Sequence, residues 1–526
     1  MPRRRVPLRT AAAVLLATLA LAAGGCSRLA WKAADQAAGF ETLVRTVEDI
    51  EAPAGFRAVL VAEGFTYPSA LTWDGAGTLY VLESHTVPIP GLAPRVLRVS
   101  GDGEIEEVPL SGPRAPGGDI AVGLTFHDGW LYLSHEEEGG TFGVYRLRPP
   151  RGDGEPGPVE AVVTGLPTRG DHDVNYLAFD AAGDLWFGLG SATNSGVVAS
   201  HDPVNQKWIE KHPEAHDVPC RDLVLTGRRF ADANALTAEE GDRAVTGAFQ
   251  PYGEAGAQRV AGRVPCSGAL FRVRLGTGRP DADPRPELVA WGFRNPVALA
   301  FDRQGRLHVG MHGADVRGTR PVANDPDAVY RVREGAWYGW PDYAADLRPV
   351  SEPEYRPPRR YLAEGHVGLE PVIDHAASGL EAPDPSLLVY ATEPHAALGG
   401  MTFLPDTGPF ARWAGHLLLS EMGDFRPQTD PVDPAERAGF QVERVDPATG
   451  RAASFLRNRG SGDPQPASAL DLEDGLERPV DVRVGPDGLV YVLDFGVFTT
   501  TEQPKVLPKT GKVFRVEPVG GPAEGR

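Results

Sequence analysis

The sequence predicts an all-β chain: a six-bladed β-propeller with a long disulfide-containing insertion, set behind an N-terminal export segment. Three observations predict it. A strand–turn–strand signature recurs six times. A second short strand, apolar-Arg-apolar, also recurs six times between those signatures. Gly 63 and Pro 49 are spread along all 526 residues, which suits many short strands and turns over a few long helices.

The signature alternates apolar residues, turns at Gly or Asp, and resumes as Leu-Tyr-Val or an equivalent. It runs over residues 70–81, 123–133, 176–187, 298–309, 400–404 with 416–419, and 481–492. Alternation buries one face of a hairpin, and the Asp/Gly turn supplies the positive φ that a tight turn needs. One hairpin cannot bury its own face, so six related hairpins predict one per blade of a closed ring. Trp73, Phe126, Phe179, Phe301, Phe403 and Val484 hold equivalent positions. The first three lie 53 residues apart, a blade length, whereas Phe179 and Phe301 are 122 apart, leaving room for a blade plus an insertion at about 200–268. The second strand recurs at 95–99, 144–147, 270–273, 329–332, 442–445 and 513–516, and its arginines are expected to face solvent.

Residues 1–26 read as a signal peptide with a lipobox-like cysteine. Arg3, Arg4, Arg5 and Arg9 precede an apolar run too short to span a bilayer, and Ala23-Gly24-Gly25-Cys26 follows. Cys26 is the expected lipidation site, an ordinary cleaved signal being the alternative. Either places the chain outside the cytoplasm, and lipid would be its one link to a membrane. Residues 27–50 are the expected tether, 51–518 the propeller and 519–526 a disordered tail. With Cys26 set aside, Cys220 and Cys266 remain as a pair expected to form a disulfide in an oxidising compartment. No Cys-x-x-Cys occurs, so neither a zinc site nor a c-type haem is indicated. A net charge of −19 repels phosphate backbones and speaks against nucleic acid as a partner.

Three polar loops flank the hairpins. His172, between Asp171 and Asp173, is a candidate general base. Arg294 and Asn295, in Trp291-Gly-Phe-Arg-Asn-Pro296, offer a planar cationic fork and an amide. His312, Asp315, Arg317 and Arg320 share a glycine-containing loop that either holds a ligand or closes on itself through salt bridges. Residues 335–343 are dense in aromatics, which suits core packing as well as sugar stacking.

At these residues a resemblance emerges. Gly-Phe-Arg-Asn-Pro-Val-Ala-Leu-Ala-Phe-Asp at 292–302, His-Gly at 312–313, Trp-Tyr-Gly-Trp-Pro at 337–341 and the stretch 478–488 resemble the glucose/sorbosone dehydrogenases, soluble PQQ-dependent sugar dehydrogenases, over residues 53–518. The resemblance implies a six-bladed propeller that oxidises an aldose or sorbosone-like sugar, with PQQ and calcium as cofactors and an external electron acceptor. It implies His172 as the base and Arg294 and Asn295 as PQQ contacts. Arg317, Arg320, Arg426 and Arg478 are further candidates because PQQ is a triacid and needs cations. No metal ligand is assigned. Two other functions fit a propeller of this kind: a non-catalytic, lipid-anchored binding module, and a calcium-dependent sugar lactonase.

Overall fold

The computed structural model describes residues 45–520 apart from short internal stretches, the longest being 85–92 and 277–284. The export segment, Cys26 and most of the tether and tail therefore lie outside the described residues.

Six antiparallel sheets form the ring, each led by one of the six signatures. The innermost strands are Pro68–Trp73, Ala121–His127, Val174–Phe179, Asn295–Phe301, Leu398–Phe403 and Pro479–Val484. All six equivalent positions, from Trp73 to Val484, fall in these strands. Each hairpin turn closes as its chemistry requires. Gly77, Gly183, Gly305 and Gly488 sit at φ 85°, 83°, 72° and 75°. Oδ1 of Asp74, Asp180 and Asp302 accepts two backbone N–H groups of its own turn.

The apolar-Arg-apolar segments are the third strand of every blade. In blades two and three their arginines are not solvent-facing as expected. Arg146 lies 4.1 Å from the Trp130 ring and 2.9 Å from Glu160. Arg272 stacks 5.3 Å from Trp186 and pairs with Glu287 at 2.8 Å. In these two blades the guanidinium covers the ring of the second strand and meets a carboxylate of the outer strand, so its stem is buried while its charge is kept.

The ring closes by borrowing a strand. In the sixth blade Phe56–Phe65 pairs along Gly511–Pro518, from Phe56↔Pro518 to Phe65↔Gly511. Residues 45–50, assigned from sequence to the tether, belong to the fold: Arg45–Val47 adds to the sixth blade and Ile50–Glu51 edges the fifth. Tyr176 reaches across the centre, its hydroxyl 2.6 Å from the Ser69 carbonyl and 2.9 Å from the Val480 carbonyl. Blades three, one and six are thereby joined through one side chain, and the channel is a filled core here, not a pore.

The long insertion enters the third blade between Leu185–Leu189 and Ala269–Val273. It carries the helix Gln206–Lys211 and the expected disulfide Cys220–Cys266. A second excursion, residues 332–387, interrupts the fourth blade before its outer strand Leu388–Pro394 and was not foreseen from sequence. The two excursions join where Asp374 N donates to the Val224 carbonyl and Thr226 N to the Val372 carbonyl. Residues 335–343 lie in the second excursion. Tyr338 stacks on Phe293 at 4.3 Å and Trp337 lies 5.9 Å from Trp291, so these aromatics pack core.

The disulfide closes a loop of 46 residues. Loop-closure entropy assigns such a crosslink about 4 kcal/mol. Cys220→Ser should lower unfolding stability by up to that amount in urea titration, and dithiothreitol should have the same effect on the wild type and none on the variant.

Candidate functional site

The site forms where the strand ends of blades three, four and five meet. A cleft of about 550 Å3 is lined by His172, Arg294, Asp315, Arg317 and His395, among others. His172 precedes the inner strand of blade three. Its Nδ1 lies 2.8 Å from the Ser191 carbonyl, so Nδ1 carries the proton and Nε2 is the basic nitrogen. Asp171 Oδ2 stands 3.5 Å from that Nε2. Gly190 makes this packing possible, since a Cβ there would come within 2.3 Å of the His172 Cβ. Burial first, then the charges of Arg294 and Arg317, hold the imidazole well below its ordinary pKa and keep it neutral.

Arg294, in the turn before the inner strand of blade four, donates from Nε to the Asn194 carbonyl at 3.2 Å and from Nη2 to Asp315 at 2.8 Å. Its Nη1 has no partner among the described residues. Arg317 Nε donates to Asp315 Oδ2 at 2.9 Å and its Nη2 to Asp171. Asp315 is the hub. Burial alone would raise its pKa, but Arg294, Arg317 and His395 outweigh that and hold it well below the usual carboxylate range. His395 lies 3.7 Å from Asp315 and 3.5 Å from Asp430. Burial opposes its charge, yet the two carboxylates push its pKa up to about 10. The loop carrying residues 312–320 is thus both a salt-bridge loop and a wall of the cleft.

The structure gathers His172, Arg294 and Arg317 as the sequence suggested. Asn295 stands one step behind, donating to His312 Nδ1 at 3.1 Å, while its Oδ1 accepts from Asn175 at 2.6 Å. Three further candidates, like Asn295, fall outside the lining. Arg320 is buried at the joint of the two excursions, bonded to Asp342 at 2.9 Å and the Pro341 carbonyl at 2.7 Å. Arg478 clasps the carbonyls of Met422, Gly423 and Asp424 and lies 4.4 Å from the Phe425 ring. Arg426 turns its Nε to Asp424. These three were chosen for their charge alone, and in each case the protein's own acceptors take up that charge. Sequence reasoning missed His395 and Asp430, whose partners lie on another blade. The only local signal is His395 as a polar residue just ahead of the fifth inner strand.

The donor set fits a quinone triacid. Arg294, Arg317 and His395 put three cations on one cleft, with a neutral base beside them. Each cation already carries a carboxylate, so a bound acid would share guanidinium edges with Asp171 and Asp315. Among the described residues no group of three or more His, Cys, Asp or Glu side chains is arranged to hold a metal ion, so no calcium ligand is assigned.

No protein-family model matches the chain. No curated protein matches it in sequence. Solved structures do. The calcium structure of Trichoderma reesei Carbohydrate-Active Enzymes Family AA12 is similar at TM-score 0.51 and 15% identity, over 91% of this chain and 99% of that one. The iodide structure from the same family and organism gives TM-score 0.51 and 16% identity, over 91% and 100%. The holo form of the pyranose dehydrogenase PQQ domain from Coprinopsis cinerea gives 0.49 and 15%, over 89% and 97%.

The ion network has a pH signature. His395 has a raised pKa, so its contribution to stability is complete below about 6.5 and is lost as pH rises through about 10. Asp315 has a lowered pKa, so its contribution holds above the ordinary carboxylate range and is lost only as pH falls well below it. His395→Gln should cost about 3 kcal/mol at pH 6 and far less at pH 10.5, measured by denaturant unfolding at both. An equal cost at the two values would contradict the charged pair.

What the likeness at these identities shows is the fold: a closed propeller shared along nearly the whole chain with solved carbohydrate-active propellers.

Proposed function

We propose that the chain is a sugar-oxidising, PQQ-dependent dehydrogenase that works from this cleft outside the cytoplasm, tethered through Cys26. The observation that carries the reading is the convergence of His172 and Arg294 on one cleft, bridged by Asp171, at the positions the sequence resemblance assigns to base and cofactor contact. A binding module that had merely kept the scaffold has no need of a buried neutral histidine beside two arginines.

His172 Nε2 takes the proton of the sugar hydroxyl. Its Nδ1 proton stays on the Ser191 carbonyl, which fixes tautomer and ring orientation. The imidazolium that results meets Asp171, which is held by Arg317. Arg294, Arg317 and His395 would hold the carboxylates of PQQ, which would supply the two-electron acceptor for the hydride that leaves the sugar carbon.

His172→Ala should lower kcat by about 10^2 to 10^4-fold in dye-linked oxidation of an aldose by PQQ- and calcium-loaded enzyme. Because the folded-state pKa of His172 is depressed, the acid limb of kcat/KM should lie below pH 6.5. No oxidation across a broad sugar panel, together with no PQQ binding in a spectral titration, would sink the reading.

A further inference from the structure

The sixfold repeat has one exception. In five blades the third-strand arginine has a protein acceptor: Arg98 on the Gly152 carbonyl at 2.7 Å, Arg146 on Glu160, Arg272 on Glu287, Arg444 on His416 at 2.9 Å, and Arg515 on Glu517 at 3.0 Å. In three of them the partner strand sets a glutamate directly opposite, at Glu106, Glu160 and Glu287. Blade four has none. Its outer strand begins at Leu388, opposite Tyr330, and the Arg331 guanidinium has no hydrogen bond, ion pair or ring contact among the described residues, although its carbonyl accepts from Tyr338 Oη at 3.0 Å. Across the hairpin, where four other blades put Tyr80, Tyr132, Trp186 or Tyr491, this one has His308.

Arg331 lines a groove of about 990 Å3 between blades four and five, at the hairpin-turn end of the ring, away from the His172 cleft. Its other ionic groups are committed: Arg306 to Asp302, Arg303 to Asp406, and Asp446 to its own turn. His416 accepts from Arg444 on Nδ1, so its remaining ring nitrogen, Nε2, is a donor. Phe403, Val389 and Pro447 add apolar surface to the same groove. One unmatched guanidinium, one imidazole donor and an apolar wall describe a receptor for a specific chemistry.

We propose that this groove binds an organic carboxylate with an apolar body. The Arg331 fork takes the two carboxylate oxygens, His416 adds a donor, and Phe403 with Val389 covers the carbon skeleton. The site does not depend on the oxidoreductase reading, and on a chain of net charge −19 it is a local exception to the general repulsion of anions.

Benzoate is the probe, titrated calorimetrically into the full chain without cofactor. Wild type should bind one equivalent with a Kd on the order of 1 mM. Arg331→Gln should weaken binding at least about tenfold, the neutral isostere benzamide should bind as poorly, and His172→Ala should bind as wild type does. Because Arg331 has no partner to lose, Arg331→Gln should keep the wild-type melting temperature; were it to misfold, the benzoate-to-benzamide ratio on wild type decides. Absence of heat at 10-fold the expected Kd, equal binding of benzamide, or loss of binding in His172→Ala would each overturn the assignment.

Discussion

Everything in this molecule hangs on closing a ring whose last blade is made from both ends of the domain. Phe56–Phe65 supplies the outer strand that Gly511–Pro518 would otherwise present as a bare edge. Once the ring is closed, each inner strand is gripped from both sides. Leu71 N donates to Asp481 between blades one and six, Ser134 Oγ to the Asn175 carbonyl between two and three, and Asn175 Nδ2 to Asn295 between three and four. Tyr176 then bolts the centre. An open version of the same sheets would leave these buried polar groups unpaired at a cost of about 1–3 kcal/mol each, so closure and polar satisfaction enforce one another.

The closed ring also explains why so much charge can be buried in the cleft. Asp171 and Asp315 alternate with Arg317, Arg294 and His395, each ion facing opposite ones across different blades. None of the ions could be desolvated alone. Held together by three rigid blades, they set two opposite protonation states within one cleft. His172, buried first of all and beside two arginines, is neutral, whereas His395, between two carboxylates, is charged. One neutral imidazole and one fixed cation thus arise from the same residue type through burial and neighbours.

Fold and site were legible in the sequence to different depths, for a physical reason. Hairpins are local: apolar alternation and an Asp/Gly turn lie within a dozen residues, so all six inner strands could be read, and the third strands were found by their repeat. The N-terminal strand was not, because its role as closing edge depends on a partner more than 400 residues away, at Gly511–Pro518. His172, Arg294 and Arg317 could be named because each sits in a loop next to a readable hairpin. His395 and Asp430 could not, since only the closed ring brings His395 between Asp315 and Asp430. Arg320 and Arg478 show the converse error. Counting cations cannot tell an arginine that waits for a ligand from one that holds backbone carbonyls together.

Strand direction decides where function can be built on this scaffold. Second strands run toward the cleft end of the ring, and five of the six end there in an ionisable residue: Glu83, Glu136, His312, Glu421 and Asp494. Several of these anchor the chain as it enters an inner strand. Glu83 accepts from Thr66 N, Glu136 from Asp119 N, and Asp494 from Glu477 N and Arg478 N. Blade three alone ends in an apolar residue, Leu189, and there the chain departs into the long insertion with Ser191 set to receive His172. The cleft lies where that structural pattern lapses. Blades one, two and six spend their polar strand ends on holding the mouth in place, and the blade without one carries His172.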